Sequence, residues 1–254
     1  PQQFKQMVMI SGFDKYFQIA PCFRDEDGRA DRSPGEHYQL DMEMSFVEQE
    51  DIFKTLEPIF FELFTEFGKG KIISKTPFTK IKYQDSMLKY GTDKPDLRNP
   101  IHIFDVTTIM KREDVKLDIF KKLIAEGSIV RAIPAPKTSS KPRSFFDDFN
   151  SWAKEEGAKG LGYIILEKDK EKFIGKGPIA KFFSENSLNE LVKLCKLKDK
   201  DSVFFSCDTK KNVEKISGLA RQRLGKELNL IDNNSFEFCW IIDFPMYQFD
   251  EEEK

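Results

Sequence analysis

The sequence predicts an α+β fold in two parts: an antiparallel hairpin with flanking helices, and a second α+β region with its own core. In the run Tyr38–Phe46 apolar and polar residues alternate, which is the two-residue period of a strand with one apolar face. An earlier strand-like run ends at Arg24, so the two runs predict a hairpin. After residue 101, short strand-like and helix-like runs alternate, which is typical of a separate α+β core.

The hairpin strands are predicted to separate a dry face from a polar one. The apolar set, expected to face a core, is Tyr38, Leu40, Met42, Met44 and Phe46. The polar set, Gln39, Asp41 and Glu43, could form the floor of a site for a charged substrate, although a plain surface hairpin would show the same pattern. The loop between the strands is densely charged and longer than a simple reversal needs, which favours a functional role.

The other helices and strands are predicted from hydrophobic periodicity and from the glycine and proline residues that end or kink them. Residues 50–69 predict an amphipathic helix whose apolar stripe, rich in phenylalanine, is expected to be core, with a kink at Pro58. A strand, a short helix ended by Gly91 and a linker, KPDLRNP, follow. Beyond the linker the pattern predicts strands at 103–109, 128–133, 161–167 and 202–207, helices at 117–126, 145–156, 179–194 and 213–228, and a buried strand at 238–244.

Composition excludes several classes of protein. Charged residues make up 33% of the 254 and hydrophobic residues 39%, as in an ordinary globular chain. The formal net charge is −2, so contact with nucleic acid would depend on local basic patches such as KKNVEK or LARQRLGK. No apolar run approaches the length of a membrane span, and no signal peptide is visible.

The metal-binding residue types are sparse. The four cysteines are scattered without ligand spacing, and the only histidines are His37 and His102. No zinc site is therefore expected, and free thiols in a reducing cytoplasm are the better interpretation.

Six segments, in order along the chain, resemble the bacterial-type aspartyl-tRNA synthetases, which are class II aminoacyl-tRNA synthetases. The hairpin corresponds to motif 2 of that class, with Phe23-Arg24-Asp25-Glu26 closing its first strand. The segments are PQQFKQ (1–6), SGFDKYFQIAPCFRDEDGRADR (11–32), QLDMEMSF (39–46), YGTDKPDLRNP (90–100), GAKGLGYI (157–164) and WIIDFPMYQFDEEE (240–253).

The resemblance implies a domain plan. Residues 1–100 would be part of the class II antiparallel-sheet catalytic domain, containing motif 2. Residues 101–233 would be the inserted α+β domain called GAD, and residues 234–254 would return to the catalytic domain before motif 3. On this plan the chain holds half of a catalytic site, and we expect it to be inactive alone.

The resemblance also assigns the amino-acid side of the site. Arg24 matches the catalytic arginine that bridges the substrate carboxylate and the α-phosphate of ATP. Gln2 and Lys5 match the aspartate-binding run, where a lysine selects a carboxylate over a neutral amide. Asp41 is expected to join the aspartate-binding network. For Glu43 a structural pairing role is an equal alternative.

The nucleotide and tRNA contacts follow from the same comparison. ATP is expected to meet Arg24, Asp25, Glu26, His37 and Gln39. Arg29 and Arg32 resemble loop residues that approach tRNA, with solvated loop charge as the alternative.

The chain departs from the family pattern within this loop. Ser33 replaces a glutamine, Gly35 is an apparent insertion, and His37 stands where a phenylalanine stacks on adenine.

The activity that the resemblance implies is aspartate–tRNA ligation by a cytoplasmic homodimer that uses ATP, L-aspartate and tRNA, with Mg²⁺ held mostly by residues outside this chain. Two alternatives stay open. The protein could be a non-discriminating ligase that also charges tRNA for asparagine. It could also be a non-catalytic paralogue, or its insert could act as a module that binds tRNA or protein.

Overall fold

The computed structural model describes residues 2–24, 35–170 and 172–247 of the chain. Contacts along the chain divide it into two units, Pro1–Phe67 and Gly68–Lys254, and each unit is described by itself. No helix in these described ranges is both long enough and apolar enough to cross a membrane.

The first unit consists of a hairpin and two helices. Helix α1 spans Gln2–Ile10, strands β1 and β2 span Lys15–Phe23 and Glu36–Met44, and helix α2 spans Gln49–Phe67. The two strands are antiparallel over their whole length, in a register that runs from Lys15 opposite Met44 to Phe23 opposite Glu36. The hairpin is confirmed, with both strands within a few residues of the prediction.

The assignment of the hairpin's faces is wrong. Its apolar face is open: Tyr38 is 76% exposed and Leu40 46% exposed. Across from them on the same face, Phe17, Ile19 and Phe23 of β1 are also exposed. The opposite face, which carries the polar residues, is half-buried. Alternation established that the strand has two chemically different faces, but it did not determine which of them the neighbouring helix α1 would approach.

Helix α2 also corrects the sequence analysis. Its range is as expected and includes Pro58, but Phe53 is the only buried phenylalanine of the stripe. Phe60, Leu63 and Phe67 are exposed. A two-stranded hairpin and one other helix offer too little surface to cover a helix of 19 residues, so only part of the stripe is buried.

The second unit contains a five-stranded antiparallel sheet with helices on both faces. The strands of the sheet are β5 (Phe104–Asp105), β6 (Ile129–Ala135), β7 (Gly162–Asp169), β8 (Lys172–Lys176) and β9 (Ser202–Asp208). Their order in the sheet is β5–β6–β9–β7–β8, with β9 in the middle and buried along its whole length. The helices are α3 (Tyr83–Tyr90), α4 (Thr107–Met110), α5 (Asp118–Ala125), α6 (Arg143–Glu155), α7 (Glu185–Leu194) and α8 (Lys210–Glu227).

Two hydrophobic cores, one on each face, hold this sheet. Adjacent residues of β9 serve different cores: Phe205 packs with residues of α4, α5 and α7, whereas Phe204 packs with residues of α6 and α8. Phe146 and Phe149 of α6 lie 5.6 Å and 5.1 Å from Phe204 between ring centroids, within the range of favourable aromatic pairs. Burial on both faces explains why the middle of β9, Val203-Phe204-Phe205, is apolar without alternation.

Around the sheet, the structure corrects the sequence analysis at three points. The strand at 103–109 ends at Asp105, whose carboxylate accepts a hydrogen bond from the Thr107 N–H and so begins α4. The helix at 179–194 is interrupted, because Ser184 accepts from the Ser187 N–H and caps a new helix, α7. Strand β8, an edge strand paired only with β7, was not predicted.

The linker KPDLRNP is an irregular segment with fixed partners. Arg221 of α8 is 1% exposed, and its guanidinium donates to the carbonyl oxygens of Asp96, Asn99 and Ile101. The Asn99 side chain in turn donates to the Arg221 carbonyl, at 2.9 Å. One buried side chain therefore replaces the backbone ladder that a proline-containing segment cannot form.

Two pairs of short parallel strands join the beginning and the end of the second unit. Strand β3 (Ile72–Ile73) pairs with β10 (Ser235–Phe236), and β4 (Thr79–Lys82) pairs with β11 (Cys239–Ile242). The Phe78 and Phe238 rings stack at 5.1 Å. Strand β11 is half-buried throughout, so the buried strand predicted at 238–244 is shorter and more accessible than expected.

Candidate functional site

The candidate site lies on the half-buried side of the hairpin, here called the polar face. Residues that lie opposite each other across the two strands form its rows: Tyr16 with Glu43, Gln18 with Asp41, Ala20 with Gln39, and Cys22 with His37. The small side chains of Ala20 and Cys22 thus lie opposite the larger polar side chains of Gln39 and His37. The face presents polar groups along its length, which suits a polar ligand.

At one end, Lys5 of helix α1 lies between two carboxylates. Its Nζ is 3.1 Å from Asp41 Oδ1 and 2.6 Å from Glu43 Oε1. The Lys5 and Asp41 side chains are 16% and 17% exposed, which limits how far water screens the pair. Two residues of β2, spaced by two, reach one lysine because that period places both on the same face.

Hydrogen bonding maintains the charged state of both partners. The pKa of Lys5 is raised, chiefly by its bond to Glu43 and then by its bond to Asp41. The pKa of Asp41 is lowered, chiefly by a bond from Gln18 and then by Lys5. At neutral pH Lys5 is therefore an ammonium and Asp41 a carboxylate.

Gln18 is a site residue that the sequence analysis missed. Its Nε2 donates to Asp41 Oδ2 at 3.2 Å from the facing strand. A signal was present, because Gln18 has the same parity along β1 as Ala20 and Cys22 and therefore shares their face. Finding its partner required the register of the hairpin, which alternation in one strand does not provide.

Arg24 lies at the opposite end of the hairpin. It follows the last residue of β1, its N–H donates to the Gly35 carbonyl at 2.8 Å, and its side chain is exposed. Six residues separate it from Gln18, or about 20 Å at the rise of a strand.

The remaining predicted residues fall into two groups. Gln39 and His37 are half-buried on the polar face between the two ends, and Gln2 is the exposed first residue of α1. Asp25, Glu26, Arg29 and Arg32, together with Ser33, lie outside the described residues.

The second unit contains clefts of its own. One of about 670 Å³ is lined by apolar side chains of α5 and the sheet, together with Arg143, Lys154 and Lys159. None of the predicted site residues lines it. Across the described ranges, no group of three or more His, Cys, Asp or Glu side chains is arranged to hold a metal ion.

Comparison with known proteins places the chain in a family. Residues 1–253 match the model of the tRNA synthetases class II (D, K and N). The chain therefore belongs to the class II tRNA synthetases, and its antiparallel hairpin and mixed α+β architecture are consistent with that class.

Its relatives narrow the comparison to one kind of ligase. The chain is 55% identical over 251 residues to the Aspartate--tRNA(Asp/Asn) ligase of Pelagibacter ubique, which covers 99% of the chain and 42% of that protein. It is 57% identical over 252 residues to the protein of that name from Rickettsia felis, covering 99% of the chain and 41% of the relative. The chain thus spans about two fifths of the length of these curated relatives.

Proposed function

We propose that the protein containing this chain is an aspartate–tRNA ligase. It would join L-aspartate to ATP, giving aspartyl-adenylate and pyrophosphate, and then transfer the aspartyl group to tRNA with release of AMP. One observation carries the proposal: Lys5 is held between Asp41 and Glu43 at one end of a polar face that has Arg24 at its other end. The names of the relatives support the same activity.

The Lys5 end fits the amino acid. An ammonium group at Lys5 would attract the side-chain carboxylate of aspartate, whereas the neutral amide of asparagine would forgo that charge pair. Asp41 would receive the substrate's own ammonium group. The contact of Glu43 with Lys5 is the shorter of the two, which supports a structural pairing role for Glu43.

The Arg24 end fits the reacting groups and the nucleotide. Activation builds negative charge on the α-phosphate. A guanidinium can bind phosphate and carboxylate oxygens through two parallel N–H donors. Gln39 and His37 lie on the same polar face and would contact the nucleotide, and Asp25 and Glu26 follow Arg24 in the chain. Gln2 would assist Lys5 at the aspartate end, since it precedes Lys5 on the same helix.

The rest of the proposal concerns the whole protein. We assign 1–100 and 234–254 to the catalytic domain and 101–233 to a GAD-type insert, a plan supported by the pairing of β3 with β10 and of β4 with β11. Arg29 and Arg32 would approach tRNA. A cytoplasmic homodimer is expected from the family. Mg²⁺ would accompany ATP, but the described residues form no site that fits it, so no step is assigned to it.

A second candidate is a ligase that acts on both tRNA(Asp) and tRNA(Asn). The relatives' names include both tRNAs, which is compatible with this candidate. Both candidates share the activation step and differ only in the second substrate.

ATP–pyrophosphate exchange by the full-length protein tests the shared step. We expect exchange that depends on L-aspartate and not on L-asparagine. Lys5→Met should lower kcat/KM for aspartate at least about 30-fold, since a partner of a desolvated charge pair contributes about 2 kcal/mol or more. Lys15→Met, at an exposed position of β1, is the matched control. Exchange that does not depend on aspartate would contradict the proposal.

Aminoacylation then separates the two candidates. Purified tRNAs with aspartate and asparagine anticodons are offered singly to the same enzyme. Charging of only the first supports the discriminating ligase, and charging of both supports the broader one.

A further inference from the structure

Gln18 has no assigned role, yet it contacts Asp41, which belongs to the charged cluster at the Lys5 end of the candidate site. Asp41 is bound through both of its oxygens: Oδ1 accepts from Lys5 and Oδ2 accepts from Gln18. When both oxygens of an aspartate accept hydrogen bonds, the plane of the carboxylate is fixed. When only one oxygen does, the carboxylate can rotate about the Cβ–Cγ bond. The orientation of Asp41 therefore depends on Gln18 as well as on Lys5.

The position of Gln18 suits this role. It lies directly opposite Asp41 in the hairpin register, so two paired strands set the separation of the side chains. The donation from Gln18 is also the largest influence that lowers the pKa of Asp41. The bond therefore favours the carboxylate form, which is the form that can hold a lysine.

The side-chain type matters because the cluster is already charged. A neutral amide donates to Asp41 and leaves the total charge of the cluster unchanged. A lysine or arginine at position 18 would compete with Lys5 for Asp41, and a carboxylate would repel Asp41. Glutamine is thus the kind of residue that fixes Asp41 without disturbing the charge that the substrate meets.

We propose that Gln18 is a positioning residue for aspartate recognition: it fixes Asp41, and Asp41 in turn places the Lys5 ammonium. This inference rests on the proposed function. Gln18 itself does not touch the reacting atoms. Its effect is confined to the amino-acid end, because the Arg24 end lies about 20 Å along the strand.

The test compares Gln18→Ala with Gln3→Ala in the full-length protein. Gln3 is an exposed glutamine of α1 and gives the matched control for truncation. In ATP–pyrophosphate exchange, Gln18→Ala should raise the KM for L-aspartate about tenfold, as expected for loss of a hydrogen bond to a charged group. The KM for ATP, kcat and the thermal unfolding midpoint should stay near those of the wild type.

A second variant separates the lost donor from lost volume. Gln18→Glu keeps the size of the side chain but at neutral pH has no proton to donate, so it should raise the KM for aspartate at least as much. It also replaces Gln18→Ala as the test if that variant does not fold.

The outcomes are distinct. An unchanged KM for aspartate in both variants overturns the positioning role and leaves the ligase proposal intact. A parallel rise in the KM values for aspartate and ATP, with a lower unfolding midpoint, indicates a merely structural residue and also overturns it. Absence of aspartate-dependent exchange in the wild type removes the proposed function, and the role of Gln18 with it.

Discussion

Gly218 of helix α8 packs directly against Gly91, the residue that ends helix α3. A Cβ atom on Gly218 would lie 2.7 Å from the Gly91 carbonyl oxygen, and one on Gly91 would lie 2.5 Å from the Glu214 carbonyl oxygen. Gly91 also has φ of 69°, a conformation that glycine adopts without strain. The two helices therefore approach through backbone atoms at a point where neither residue has room for a side chain.

Gly218→Ala should destabilise the chain even though alanine is the better helix former. The substitution gains about 1 kcal/mol in helix propensity, but overlap with backbone atoms forces the helices apart, and such overpacking costs about 1 to 3 kcal/mol. We expect a net loss of about 1 kcal/mol in urea unfolding. Lys226→Ala, at an exposed position of the same helix, should stay near the wild type. A gain in stability for Gly218→Ala would show that α3 moves aside without cost.

Arg221→Met should be among the more damaging substitutions in the second unit. Three carbonyl oxygens lose their donor, and each buried polar group left unsatisfied costs about 1 to 3 kcal/mol. A loss of about 3 kcal/mol or more in the free energy of unfolding is expected. Arg223→Met is the control, since Arg223 stacks on Phe149 and Trp152 near the surface and should cost less. Equal losses for the two variants would contradict the special role of Arg221.

The buried thiols should resist alkylation. Burial raises the pKa of Cys195 to about 12 and that of Cys207 to about 11. At pH 8 the reactive thiolate form is therefore about 1 in 10⁴ of Cys195 and about 1 in 10³ of Cys207. Mass spectrometry after iodoacetamide treatment of the native chain should find the half-buried Cys22 modified first. All four should react in denaturant. Native modification of Cys195 at the denatured rate would show that the core around it opens readily.

Asp114 should make stability depend on pH in the acid range. Hydrogen bonds from Arg112, and then from Ser184, lower its pKa from 3.8 to about 2. The unfolded state therefore binds the proton first as pH falls, so the stabilisation is complete above about pH 5 and is lost between about pH 4 and 2. The difference in unfolding free energy between wild type and Asp114→Asn should narrow across that window. A difference that stays constant from pH 5 to pH 2 would contradict this role of Asp114.

Much of the fold could be predicted because its signals are local. The end of α3 follows from Gly91, and the central strand β9 follows from a short apolar run of β-forming residues, Val203-Phe204-Phe205. The division of the 179–194 helix could not be found in this way. Its break depends on Ser184, whose hydroxyl also donates to Asp114, 70 positions away in sequence.

Only part of the candidate site could be predicted from the sequence. Asp41 and Lys5 were identified through resemblance, and both lie in the cluster. Gln18 was missed, and the apolar face of the hairpin was assigned to a core, because both depend on what lies across from or against a strand. Periodicity reports that a strand has two faces, whereas register and neighbouring elements determine their surroundings.

The binding of the 94–100 segment by Arg221 determines how freely the amino-acid sequence of that segment can vary. The guanidinium binds main-chain oxygens, which every amino acid supplies, so its hydrogen bond at position 96 does not require a particular side chain. Asn99 is different, because its own amide donates to α8. The Asp96 carboxylate also accepts hydrogen bonds from Arg98. Substitution tolerance along this stretch should therefore be uneven, lower at Asp96, Arg98 and Asn99 than at their neighbours, while the path of the backbone is retained.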